Sequence, residues 1–220
     1  MKGRLITAKM IAGFKEHLIL EERSAATIQK YIRDVKAFAE YARLCQAAQR
    51  RHNERLNLIL QTICGTGIRV SELQFITVEA AKCGEAVVRC KGKTRAVFIV
   101  RELRQKLLRY AAEQGIKSGM IFVTRTGKPI SRTNIWREMK ALCVEADVNP
   151  QKVFPHNLRH LFARVFYGIE KDIANLADIL GHSSINTTRI YNLHRHGTPP
   201  PDGNYAPDPM KKAAHSAAGT

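Results

Sequence analysis

The stretch Ala86-Val-Val-Arg-Cys-Lys-Gly-Lys-Thr-Arg-Ala-Val-Phe-Ile-Val100 decides the fold class of this chain. Ala86–Cys90 and Arg95–Val100 are β-rich runs, and Lys91-Gly-Lys-Thr94 between them carries the signature of a hairpin turn. Outward from this hairpin, apolar residues recur at helical spacing. On the N-terminal side, Leu56, Ile59, Leu60 and Ile63 form one apolar stripe, which predicts a helix ending at Gly65-Thr66-Gly67, and Val70–Phe75 reads as a further helical turn or two. On the C-terminal side, helices are predicted at about 101–114, 131–146, 157–167 and 171–180, the second capped by Ser131, with a short strand candidate at Met120–Val123. The expected fold is mainly α with a small antiparallel β-sheet, an α+β class.

Two more amphipathic helices precede this region. Ile6, Met10, Ile11, Phe14 and Leu18 follow a helical period; Ile28, Tyr31, Ile32, Val35, Phe38 and Ala42 do so again after the capping candidate Ser24. A two-helix hairpin cannot cover its own apolar faces and needs a partner. The far end, from Arg195 to Thr220, holds five of the eight prolines and almost no apolar periodicity, which reads as disorder. The expected organisation is a helical segment over 1–42, a main domain over 43–194 and a Pro/Gly-rich tail over 195–220.

Composition narrows the function. The chain has 220 residues, 45% of them hydrophobic and 25% charged, enough to bury a core and outside the collagen-like and disordered classes. No apolar run reaches the length of a membrane-spanning helix. Lys9, Lys15 and Glu16 interrupt the N-terminal apolar stretch, so no secretory signal is expected and the expected location is the cytoplasm. Lys and Arg number 36 against 19 Asp and Glu, a formal net charge of +17. Such an excess attracts polyanions, nucleic acid first among them. Five cysteines, an odd number without a CxxC pair, read as a reduced set. His156 and His160 stand at chelating spacing but lack the Glu of HExxH and any further ligand cluster nearby, so no metal is expected. Lys91-Gly-Lys-Thr94 is no P-loop: position 87, where the first glycine would fall, is Val, and the segment joins two strands.

Four phrases carry chemistry-bearing residues: Thr66-Gly-Ile-Arg-Val-Ser-Glu-Leu73, Lys91-Gly-Lys-Thr-Arg95, His156-Asn-Leu-Arg-His160 and Leu180-Gly-His-Ser-Ser-Ile-Asn-Thr-Thr-Arg-Ile-Tyr191. Singly, each admits a bland reading: Arg69 as a helix-terminal salt-bridge partner, Lys91 as a turn charge, His156 as a helix cap, Tyr191 as core. In this order, however, the four resemble the catalytic domain of the tyrosine recombinases, the phage integrases, whose pattern is Arg, Lys, His-x-x-Arg, Leu-Gly-His and Tyr. The matching residues are Arg69, Lys91, His156, Arg159, His182 and Tyr191; Arg159 to His182 is 23 residues and His182 to Tyr191 is 9.

The resemblance implies site-specific DNA recombination, integration or excision for a mobile element. Strand cleavage and rejoining would run through a 3′-phosphotyrosine, without metal or other cofactor. Arg69 and Arg159 would clamp the non-bridging oxygens. Lys91 would protonate the leaving 5′-oxygen, with Lys93 as its competitor, and Tyr191 would be the nucleophile. His156 would assist as base, and His182 would bond a phosphate oxygen or buttress the site. Glu72 would orient Arg69; His160 and Arg164 would be structural or backbone-contacting. The implied partner is double-stranded DNA, with self-association into a tetrameric synapse. The chain departs from the family in having only about 42 residues ahead of the catalytic region, where a whole helical clamp domain is usual. It also has a Pro-rich tail after Tyr191 in place of a helix that packs on a neighbouring subunit. A non-catalytic DNA-binding remnant and a type IB topoisomerase-like enzyme are the rival readings.

Overall fold

The computed structural model describes residues 6–90, 92–182 and 184–188, with the side chains of residues 90 and 93 outside that set. Lys91, Tyr191 and the 195–220 tail all lie outside the described residues.

Thr7 and Ser24 each accept a hydrogen bond from the backbone N–H three residues on, and so begin α1 (Ala8–Leu20) and α2 (Ala25–Arg50). With no Gly or Pro between its ends, α2 runs unbroken through position 42 into the main body. Asn53 caps α3 (Glu54–Thr66). Leu56, Leu58, Ile59, Leu60 and Ile63 are fully buried, as are the polar Asn57, Thr62 and Thr66, so α3 is buried on most sides and forms the axis of the core. Helices α2, α5 (Arg101–Glu113), α6 (Arg132–Leu142) and α7 (Pro155–Glu170) pack around it.

After α3 come a 3-10 turn, Val70–Phe75, and a short helix α4 (Val78–Cys83). The hairpin follows as β1 (Glu85–Cys90) and β2 (Lys93–Phe98), antiparallel with Val88 opposite Arg95 and Cys90 opposite Lys93. The turn is tighter than the sequence suggests, because Lys93 and Thr94 extend the ladder. Ala86, Val88, Val97 and Ile99 face the core. Chain and sheet together match the mainly α reading with one small antiparallel sheet.

Some expectations shift. Of the two glycines ending α3, only Gly67 takes a positive φ (66°), while Gly65 stays helical. Met120 and Val123 form isolated bridges to Thr77 and Pro129 instead of a strand. Helix α6 stops at Leu142, short of 146. Helix α7 starts at Pro155, two residues early, because proline's fixed φ suits the first helical position. Asp172 caps α8 (Ile173–Leu180) by accepting from the Ala174 and Asn175 N–H groups. A second, smaller cluster fixes α8 on α7: Ala163, Leu176 and Leu180, flanked by Phe162, Phe166 and Tyr167. Asp34 of α2 meets Arg164 of α7 at 3.0 Å, which ties the N-terminal hairpin to the helix carrying His156 and Arg159.

Candidate active site

Arg69 is placed by the way α3 ends. Gly67 caps the helix in the left-handed region, and a Cβ there would come within 2.4 Å of the Phe162 ring. The missing side chain lets α7 approach. Beyond Gly67 the backbone extends, and Arg69 opens the 3-10 turn. One carboxylate then holds it twice: Arg69 N donates to Glu72 Oε2 at 2.9 Å, and Nη1 donates to Oε1 at 2.8 Å. The Glu72 side chain is only 2% exposed, whereas that of Arg69 is 36% exposed. The guanidinium is thus fixed from behind and open in front.

Arg159, near the start of α7, is buried. Its Nη1 donates to the Gly67 carbonyl and its Nη2 to the Leu180 carbonyl at 2.6 Å. Nη2 also lies 3.2 Å from His182 Nε2. A guanidinium has no acceptor, so His182 Nε2 must be the acceptor. The remaining proton then sits on Nδ1 and is donated to Thr188 Oγ1 at 2.8 Å. Both ring nitrogens of His182 are engaged inside the protein, which favours buttressing of Arg159 over direct contact with a phosphate.

The turn after α8 draws these groups together. Three consecutive carbonyls at its end each accept from a different arginine: Ile179 from Arg95 Nη1 at 2.9 Å, Leu180 from Arg159, and Gly181 from Arg69 Nη2 at 3.2 Å. The last carbonyls of a helix lack intrahelical donors and carry the negative end of its dipole, so they suit cations. Gly181, at φ 63°, is required here because a Cβ would sit 2.6 Å from Arg95 Cδ.

His156 occupies the second position of α7, beside the N–H groups of a helix start. Its ring meets His160 edge-on, with centroids 4.3 Å apart. Partial burial lowers its pKa to about 4, helped by the charges of Arg159, Arg132 and Arg69. His182 falls to about 4 for the same first reason, with Arg159 and Arg69 next. Both rings are neutral at pH 7. Among the described residues no group of three or more His, Cys, Asp or Glu could hold a metal ion, and no helix is long and apolar enough to cross a membrane.

Of the six expected site residues, Arg69, Arg159 and His182 meet at this turn, and His156 lies within electrostatic reach of all three; Lys91 and Tyr191 lie outside the described residues. Sequence reasoning missed Arg95, Arg132 and Thr188. Arg95 had a readable signal, since it shares the inward face of β2 with Val97 and Ile99, where alternation calls for an apolar residue. Thr188, fully buried, had none.

Residues 36–197 match the phage integrase family. Tyrosine recombinase XerH of Campylobacter jejuni subsp. jejuni serotype O:2 is 32% identical over 189 residues, covering 82% of this chain and 50% of its own. The chain spans about half the length of the curated relatives it matches. Among solved structures, XerA recombinase aligns with 100% of this chain and 86% of its own, at a TM-score of 0.61 and 24% identity. XerH bound to its difH substrate aligns with 69% of this chain and 48% of its own, at a TM-score of 0.59 and 23% identity. These two likenesses establish a common fold. Motif order, family match and fold agree: the chain belongs to the phage integrase family, the tyrosine recombinases.

Proposed function

We propose that this chain cleaves and rejoins double-stranded DNA at a specific site through a 3′-phosphotyrosine, in the service of integration or excision. The convergence of Arg69 and Arg159 on the turn after α8, with His156 beside them, carries this reading. Two fixed guanidiniums with a neutral imidazole at a helix N-terminus make a receptor for one phosphodiester. They can spread the transition state's charge without a metal. The Tyr191 hydroxyl attacks phosphorus and loses its proton towards His156. The P–O5′ bond breaks, and the 5′-oxygen takes a proton from Lys91. A bound phosphate opposes the charges of Arg159, Arg132 and Arg69 and so raises the His156 pKa part of the way back, while burial, the larger cause of its lowering, remains. Reversal by another 5′-hydroxyl needs no external energy, because the ester bond is kept.

The net charge of +17 supports DNA as partner, as does the DNA-bound state of the XerH neighbour. We assign residues 1–42 to part of a clamp, 43–194 to the catalytic domain and 195–220 to the tail, with self-association on DNA. The test is covalent capture on nicked random duplexes that trap cleavage. An SDS-stable adduct formed with Tyr191 and lost in Tyr191→Phe is the expected result, and the trapped DNA then yields the site. Duplex binding at low salt without any adduct would replace this reading with a non-catalytic DNA-binding role.

A further inference from the structure

Arg95 is a largely buried charge that the chemistry above leaves unused. Its side chain is 12% exposed and projects from β2 toward the site. Nη2 donates to Glu72 Oε2 at 2.6 Å and Nη1 to the Ile179 carbonyl at 2.9 Å. Glu72 thus holds two arginines: Arg69, which faces the phosphate, and Arg95, which belongs to the hairpin. Gly181 leaves room for the Arg95 stem, so three separate segments are shaped around this one side chain. Among the described residues β1 and β2 pair only with each other, so no third strand steadies the hairpin's far end. Arg95 stands three residues from Gly92, or about 10 Å along the strand.

We propose that Arg95 is a positioning residue: it pins the β1–β2 hairpin to the Arg69–Glu72 pair, so that the lysine following Cys90 is delivered to the leaving oxygen of the same phosphate that Arg69 holds. The proposal rests on the strand-cleavage reading and assigns Arg95 a role through Lys91. A fork that reaches a carboxylate and a backbone carbonyl at once fixes a direction as well as a distance, which one ammonium cannot do. Proton transfer is sensitive to such placement, and an error near 1 Å can cost about 100-fold. A purely structural pair would behave differently. Its loss would lower stability and slow every substrate alike, whereas a misplaced proton donor matters only when the leaving group needs a proton.

That contrast sets the experiment. The full chain is given the site recovered by capture, in two nicked duplexes. One has an ordinary scissile phosphodiester; the other has sulfur in place of the bridging 5′-oxygen. A 5′-thiolate departs unprotonated at neutral pH. Adduct formation by Arg95→Ala should fall about 10- to 100-fold on the oxygen substrate and stay within about 3-fold of the unsubstituted chain on the sulfur substrate. Lys91→Ala should show the same split, and Arg95→Lys an intermediate one. If Arg95→Ala fails to fold by thermal unfolding, Arg95→Gln carries the comparison. Equal slowing on both substrates, or no slowing on either, overturns the proposal. No adduct from the unsubstituted chain on either duplex overturns the strand-cleavage reading itself, a distinct outcome.

Discussion

Arg159 Nη2 and His182 Nε2 lie 3.2 Å apart, a contact that holds only while the imidazole is unprotonated. Protonation would set an N–H against a buried cation. Both His182 and His156 have folded pKa values lowered to about 4 from an unfolded value near 6.5. Between these values the unfolded chain binds more protons, so their contribution to stability is complete above about pH 6.5 and lost as pH falls toward 4. Thermal midpoints measured from pH 7.5 to 4.5 should drop through this window. The double variant His156→Gln, His182→Gln should show a flatter profile; an unchanged slope would assign the acid loss to other groups.

Glu72 is the buried anion on which two guanidiniums depend. Glu72→Ala takes the carboxylate from both arginines; Arg69 remains open to water, whereas the Arg95–Glu72 pair is buried, and breaking such a pair costs about 3–5 kcal/mol. Urea unfolding should show a lower midpoint with little change in slope. A shift below about 1 kcal/mol would mean that water reaches both arginines easily.

Gly181→Ala sets a left-handed φ, costing about 1–2 kcal/mol, against a collision with Arg95 Cδ. Combining it with Arg95→Ala removes the collision and leaves the backbone cost. The double variant should therefore be less destabilised than the sum of the singles. Strict additivity in a double-mutant cycle would show that Arg95 moves aside freely.

Arg69→Lys and Arg159→Lys keep the charge and lose the fork. Each should slow adduct formation by about 100-fold or more. Arg69→Lys should leave duplex binding nearly intact, because Arg69 is half-exposed and its removal opens no cavity. Arg159→Lys should also lower the thermal midpoint, because Arg159 is buried against the Gly67 and Leu180 carbonyls.

Lys91 and Lys93 flank one glycine, and Lys93 already stands in the ladder opposite Cys90. Lys91→Ala should lower capture on ordinary DNA about 100-fold, while Lys93→Ala should retain most of it. The reverse result would move the general acid to Lys93.

Much of the fold was legible because it is governed locally. The Ser24 and Ser131 caps, the alternation in 86–90 and 95–100, and the helical stripe of α3 are decided within a few residues. The candidate site was legible because Arg69, His156, Arg159 and His182 stand in the order of the tyrosine recombinase pattern, although each singly admits a bland reading. What escaped was set by distant partners. Arg95 finds Glu72 and the end of α8 only after the chain has folded back. Thr188 is buried with its hydroxyl on a histidine six residues earlier, whose other ring nitrogen meets Arg159. The passage of α2 beyond residue 42 had a signal, the absence of Gly and Pro from 25 to 50, which an expected domain border obscured. Gly65 and Gly67 look alike in sequence; the Phe162 ring singles out Gly67.

The three carbonyls that end α8 are gripped by arginines drawn from 84, 21 and 112 residues earlier in the chain. No segment made first during synthesis can assemble this arrangement, and closure of such long loops comes late in folding. A chain emerging from the ribosome therefore carries much of its basic charge before this turn can be assembled. On the proposed strand-cleavage function, competence to break a strand then waits on completion of the domain, and a partly made or partly unfolded copy is left without it.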